Sequence, residues 1–453
     1  MASTDLLLSS PTAGDRQKGT ISVWVKRTAI ETNGYLYSTW NTSVGGYSSG
    51  LLQFTGSTDQ LVFTNYQANG GSHTELKTNR RFRDLSCWYH ICVNWDTTLA
   101  TSSDRYKIFI NGVRETSFAT ATYPSQNENL FFDIGGANNP IRIGSVQGTS
   151  AYLDAVLSHY HKVDGTAYDA STFGSTDSVT GEWQINTSPS LTYGSGSGNF
   201  FIFKNGTNLS GSTVQDQSGE GNDLTVDGGT LTNTEDCPSN VFATLNPLAA
   251  HPSNTPIFYN GNTTSDAVDT SPQTISSTLA MPKKGKFYME VKLAQEANST
   301  SSIPNFGIMD AAALYKMRNK ELTDSSNAWN SYGGRVNSNN IYVLNATSQT
   351  MSDTPDVGDI IGLAVDLDSA QNTLKYYLNG TLVATQNINN DEYVFAFSIK
   401  RDNADGKVEC NFGNGYFATT QITSEGTNAS GIGKFEYDVP SGYTALCTKG
   451  LNL

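Results

Sequence analysis

Residues 88–96 read WYHICVNWD, and 105–113 read RYKIFINGV. In the first stretch Tyr89, Ile91, Val93 and Trp95 alternate with smaller or polar residues, which is the period of a strand with one apolar face. In the second, an apolar run ends in Asn111-Gly112, two residues that tolerate the positive φ of a type I′ hairpin turn. The same arrangement returns at 358–368, GDIIGLAVDLD, which leads through SAQNT into LKYYLNGTLV at 374–383. Each copy has a core strand ending in Asp, a polar turn, a second strand, an Asn-Gly turn and a return strand. Asp96 precedes Asn111 by 15 residues and Asp366 precedes Asn379 by 13. The repetition predicts two β-sandwiches of similar construction.

Other segments follow the same period. TISVWVKR puts Ile21, Val23 and Val25 on one face and Ser22, Trp24 and Lys26 on the other. KFYMEVKL alternates Phe287, Met289, Val291 and Leu293 against Tyr288, Glu290 and Lys292, and YVFAFSI alternates Tyr393, Phe395, Phe397 and Ile399 against smaller residues. Such alternation describes antiparallel sheets with one face in a core. Helical periodicity is confined to the stretch from Asp310 to Leu322, which reads as a capped helix or an ordered loop. The expected fold is all-β: two antiparallel jelly-roll sandwiches, 1–175 and 253–453, joined by a partly structured connector at 176–252. The connector holds the run TYGSGSGN, the hairpin-like FFIFKNGT with a third Asn-Gly at 205–206, and a stretch with four prolines. Phe200, Phe201, Phe203, Leu224 and Val226 sit at strand spacing, so part of it is expected to join a sheet, leaving a flexible joint only at about 247–256.

The chain has 453 residues, with 42 acidic and 28 basic, a net charge of −14. The excess divides almost evenly, −8 before residue 251 and −6 after it. That charge lacks the basic footprint of a nucleic-acid binder. No stretch approaches the roughly 20 apolar residues of a membrane helix. MASTDLLLSSPTAGD has no basic n-region, so no signal peptide and no secretion are expected. The five cysteines, at 87, 92, 237, 410 and 447, have no metal-type spacing and read as buried thiols of a protein made in a cytoplasm.

The motifs carry a family resemblance. SVWVKR, CWYHICVNWD, YKIFINGV, RIGS at 142–145 and YLDAVLSHYHKVDGTAYDASTFG resemble a laminin G-like, or concanavalin A-like, domain of the kind found in phage structural proteins. GKFYMEVKL, FGIM at 306–309, GDIIGLAVDLD, LKYYLNGTLV and YDVPSGYTAL resemble a SPRY domain. DQSGEGNDLTV and DCPSNVFATLNPL are similar to the connector that joins these modules in bacteriophage tail or appendage proteins, marine phages in particular. The resemblance implies a virion protein assembled in the bacterial cytoplasm, with other virion proteins, a host-surface glycan or protein, and copies of itself as partners. It names no obligatory activity.

Any chemistry must therefore come from particular residues. The acidic strand of retaining glycosidases has its nearest echo in Glu436-Tyr437-Asp438, which lacks a second Glu. Gly46-Tyr47-Ser48-Ser49-Gly50 fits a nucleophile-elbow pattern but has no helix after it. His159 and His161 could share a strand face without a third ligand. Calcium is the more realistic cofactor, through Asp216, Ser218, Glu220 and Asp223 on a Gly-bearing turn, with an acidic Asx-type turn as the alternative. For ligand binding, Trp329, Tyr332 and Arg335 lie in the Asn-rich stretch 324–342, and Trp40 and Tyr47 form a second candidate set, because sugar rings stack on aromatic faces. Trp88 and Trp95 read as packing residues. The expectation is a non-enzymatic virion protein; a polysaccharide-degrading hydrolase and a purely architectural capsid decoration stay open.

Overall fold

The computed structural model describes residues 3–41, 48–68, 71–148, 150–205, 209–250, 255–295, 304–314, 316, 322, 331–343, 346–401 and 406–452. The chain divides into two compact units, 1–233 and 234–453. Both are β-sandwiches. The stretch read as a connector is shared out: 176–233 belongs to the first unit and 234–252 to the second. Its apolar residues explain this. Phe200–Ile202 pairs with Ala155–Asp164, and Leu224–Val226 pairs with Leu6–Leu8. At the expected joint, Pro247–Ala249 forms a 3₁₀ turn whose cap is Asn246. Gly206 of the third Asn-Gly pair and residues 251–254 lie outside the described residues.

In the first unit a six-stranded sheet runs Phe200–Ile202, Ala155–Asp164, Lys18–Arg27, Tyr89–Asp96, Tyr106–Ile110, Val113–Arg114. Facing it is a ten-stranded sheet whose central strands are His73–Arg81, Gln60–Tyr66, Ser48–Phe54, Gly34–Asn41 and Ile141–Ile143. Ile21, Val23, Val25, Ile91, Val93 and Trp95 meet Leu36, Leu52, Phe54, Leu61, Phe63 and Leu76 in the core. In the second unit the order Lys407–Asn411, Lys286–Gln295, Ile360–Asp366, Thr373–Leu378, Thr381–Asn387 repeats the central arrangement. Its core joins Phe287, Met289, Val291 and Leu293 to Phe306, Ile308, Phe395 and Phe397. All pairings of these strands are antiparallel; one short parallel contact sets Thr444–Ala445 beside Lys286–Gln295.

The repeated motif is reproduced down to its polar contacts. Asn111 has φ 48° and Gly112 φ 78°; Asn379 has φ 46° and Gly380 φ 80°. The Asn111 side-chain oxygen accepts from His90 N at 2.8 Å, and that of Asn379 accepts from Ile360 N at 3.0 Å. Asp96 and Asp366 each cap the turn that follows them and pair with a lysine opposite, Lys18 at 3.5 Å and Lys286 at 2.8 Å.

The sheets differ from expectation in one respect: the central sheet of each unit is buried on both faces. In the first unit Tyr168, Ala170, Phe173 and Trp183 cover Cys92 and Phe109. His90 lies under Trp183, stacked at 5.8 Å, and His161 stacks on Phe201 at 3.9 Å. In the second unit Phe435, Val439 and Tyr443 cover Tyr288 and Ala364. Cys92, Phe109, Tyr288 and Ala364 are apolar or aromatic, so covering them removes apolar surface from water. Each covering segment lays an aromatic ring where the hairpin glycine has no Cβ, Trp183 over Gly112 and Tyr437 over Gly380. Val394 and Ala396 likewise pack with Met309, Ala313 and Leu322, and the start of the predicted helix is a 3₁₀ turn, Ala311–Ala313, capped by Asp310. Among the cysteines, 92, 410 and 447 are buried thiols, whereas 87 and 237 are half-buried.

Each cover is fastened by a buried polar group. Trp183 Nε1 donates to His90 Nδ1 at 3.0 Å. The Glu290 carboxylate accepts from the backbone N of Glu436 and Tyr437, both at 2.9 Å, and from Asn411 and Tyr288. Burial depresses the His90 imidazole to about 3 and pushes the Glu290 carboxyl up to about 7.

Two predictions follow from the covers. Gly112→Ala and Gly380→Ala each force a side chain into positive φ beneath a ring, and each should cost its unit about 1–3 kcal/mol in a denaturant melt. The pH responses of the fasteners have opposite signs. Folded His90 resists the proton that the unfolded chain accepts near 6.5, so its contribution is whole above that value and falls as pH drops, by about 2 kcal/mol at about pH 5. Folded Glu290 holds its proton up to about 7 against 4.5 unfolded, so its contribution grows as pH falls between those values. In melts of the full chain, His90→Gln should lessen the acid loss of the first unit, and Glu290→Gln should remove the acid gain of the second. Unchanged pH profiles in both variants would contradict this account.

Candidate functional site

Ser22 and His90 are the nearest approach to a nucleophile and its base, with Ser22 Oγ 2.9 Å from His90 Nε2. The third partner decides the polarity. An indole N–H only donates, so Trp183 makes His90 Nδ1 an acceptor and leaves the ring proton on Nε2, directed at Ser22. A base for serine needs the reverse. The pair is also wholly buried.

The buried carboxylates are committed in the same way. Asp133 receives Lys162 Nζ at 2.8 Å on both oxygens. Asp59 receives Arg27 at 3.1 Å and Arg83 at 2.8 Å. Glu436 and Tyr437 give their backbone N–H groups to Glu290, and Asp438 accepts from Thr427, so the acidic string holds the cover in place. His159 sits at a register shift with φ 44°, and His161 points under the cover against Phe201. Ser48 opens the strand Ser48–Phe54 and is not followed by a helix.

The loop read for calcium is closed by its own hydrogen bonds. Asp216 Oδ1 accepts from Phe201 N at 2.8 Å and Ser218 N at 2.9 Å. Its Oδ2 accepts from Ser218 Oγ at 2.7 Å and Asn222 N at 3.0 Å. Asp223 accepts from Asp216 N at 2.8 Å, while Glu220 is exposed. A cation here would have to displace donors from Asp216. Among the described residues no group of three or more His, Cys, Asp or Glu is disposed to hold a metal ion.

The residues read for ligand binding do not form one site. Tyr332 is 3% exposed, on the strand Ser331–Arg335; its ring lies against Tyr393 and its hydroxyl accepts from Asn389 N at 3.1 Å. It is a core residue, because the alternation of the strand Ser331–Arg335 turns Tyr332 inward. Arg335 sits over the Tyr342 ring at 4.6 Å. Trp329 and Tyr47 lie outside the described residues. Trp40 belongs to the other unit.

Trp40 opens onto the most promising surface, the outer face of the ten-stranded sheet. Strand register sets Trp40, Ser49, Tyr66 and His73 in one row across four neighbouring strands. The next row is Ser38, Leu51, Thr64 and Glu75, and the one beyond it contains Gln53, Val62 and Lys77. Ser49, Leu51, Val62 and Thr64 are buried and form a floor, whereas Trp40 is half-buried and Tyr66 is 40% exposed. Two strand spacings separate Trp40 from Tyr66, about 10 Å. His73 meets the Tyr66 ring edge-on at 5.5 Å and Glu75 at 3.8 Å. Glu75 is the single carboxylate on the described strands of this sheet. Tyr66 and His73 escaped the sequence reading because only strand pairing brings them beside Trp40.

Comparison with known proteins agrees with the fold. Residues 2–165 match a family model described as the Concanavalin A-like lectin/glucanases superfamily. No curated protein matches. Among solved structures, the SPRY domain of human HERC1 is similar at 15% identity, over 37% of this chain and 96% of that one, with a TM-score of 0.29. A putative carbohydrate binding protein from Bacteroides ovatus is similar at 11% identity, over 50% of this chain and 56% of that one, with a TM-score of 0.31. The sialidase CBM40 of Ruminococcus gnavus bound to α2,3 sialyllactose is similar at 21% identity, over 33% and 83%, with a TM-score of 0.24. The chain is thus an all-β protein of antiparallel sheets, and its residues 2–165 are similar to the concanavalin A-like lectin/glucanases superfamily.

Proposed function

We propose that the protein is a non-catalytic virion structural protein, a bacteriophage tail-fibre, tail-associated or capsid-appendage subunit, that binds host-surface glycan through the outer face of the ten-stranded sheet. The observation that carries the glycan reading is the row Trp40, Ser49, Tyr66, His73 beside a polar and aliphatic floor. Two aromatic faces separated by about two strand spacings offer platforms for neighbouring sugar rings, and the half-buried Gln53 offers hydrogen bonds to hydroxyls. A single carboxylate favours binding over hydrolysis, since glycosidases of the common type need two flanking one bond. The virion role rests on the resemblance of the whole motif order to phage proteins, with other virion proteins and further copies of the chain as partners at sheet edges.

Trp40→Ala and Tyr66→Ala should each lower glycan binding about tenfold or more, the loss of a stacking platform, without shifting the thermal melt by more than a few degrees. Binding on a glycan array checks the first part and calorimetry the second. Incubation with host capsule or lipopolysaccharide should release no new reducing ends; their release would overturn the non-catalytic reading.

A further inference from the structure

We infer that the saccharide bound by the ten-stranded sheet is anionic, its carboxylate or sulfate groups meeting Lys77 and then Arg81. This rests on the glycan reading of the same face and adds the charge class of the ligand.

Most charged side chains around that face are paired. Arg142 is neutralised by Asp5 at 2.5 Å and by Asp227 at 2.7 Å. His73 shares Glu75, and Arg80 is held by Glu115 at 2.9 Å. Lys77, by contrast, has no ion pair or side-chain hydrogen bond among the described residues, although it is half-buried beside Val62 and Thr120. Arg81, exposed at the end of the same strand, has none either. Its row neighbours Gln53 and Val62 are neutral, and the nearest carboxylate along its own strand, Glu75, is already shared with His73, so the half-buried Lys77 side chain has gained no counter-charge. In a protein of net charge −14 an acidic partner for Lys77 would be easy to supply, yet the strand leaves the position open. An anion arriving there regains a charge-assisted hydrogen bond. Tyr66 and Trp40 lie four residues further along the strands and would take the sugar rings of the same chain. A ligand lying across both regions is an oligosaccharide, not a single sugar.

The test uses the full chain on an array of neutral, carboxylated and sulfated oligosaccharides. Oligogalacturonate and its methyl ester are then compared by titration at low and high salt. Acidic spots should dominate, and the free acid should bind about tenfold better than the ester at low salt, the worth of one charged contact. Lys77→Met should abolish that preference while leaving binding of the ester unchanged, and added salt should weaken only the acid. Carboxylated against sulfated spots separate the two acid groups. Binding of neutral spots alone, or an acid preference that survives Lys77→Met, overturns the inference and leaves the glycan reading standing. Trp40-dependent binding of the ester reports on that reading separately. No spot bound at all overturns both.

Discussion

Asn111 and Asn379 hold the register on which both units are built. Each stands at the first position of its hairpin turn, gives its backbone N–H to the carbonyl of the strand one over, and takes that residue's N–H on its side-chain oxygen. Three strands are thereby fixed against one another at a single residue. In a sheet a slip of one residue would exchange every inward side chain for an outward one. Ile91, Val93 and Trp95, or Leu363 and Val365, face the core because that exchange is blocked.

The glycine after each asparagine has a second role beyond its positive φ. Its missing side chain is where Trp183 or Tyr437 lies, so the turn that sets the register also receives the segment covering the sheet's outer face. The covers are then fastened by groups of opposite chemistry, a neutral imidazole in one unit and a carboxyl in the other. With the six-stranded sheet of the first unit enclosed in this way, its ten-stranded partner is left to present a broad face. The candidate site follows from that division of labour.

Much of this was legible in the sequence, and the limits have physical causes. Alternation identified Ile21, Val23, Val25, Phe287 and Met289 as core, because a side-chain period of two is a local property of an extended chain. The Asn-Gly turns and the capping role of Asp96 are also local. Tyr332 was misplaced because turn-forming Asn residues surround a strand, and polarity outweighed its short alternation. Spacing does not choose between a calcium ligand and an Asx-type turn at Asp216, because its partners, Phe201 and Asn222, are backbone donors that no spacing rule announces. The aromatic row was missed for a different reason: Trp40, Tyr66 and His73 become neighbours only after strands pair.

The sequence by itself therefore determined the class of fold, the repeated motif and the identity of the core, since these depend on periodicity and turn chemistry within about ten residues. Only the tertiary structure decided which faces are covered. It divided the expected connector, giving 176–233 to the first unit and 234–252 to the second, and it turned His90 and Glu290 into fasteners. Burial of an outward face depends on where a distant segment returns, and hydrogen-bond polarity depends on the third partner. Both are set by contacts more than fifty residues apart, which periodicity does not encode.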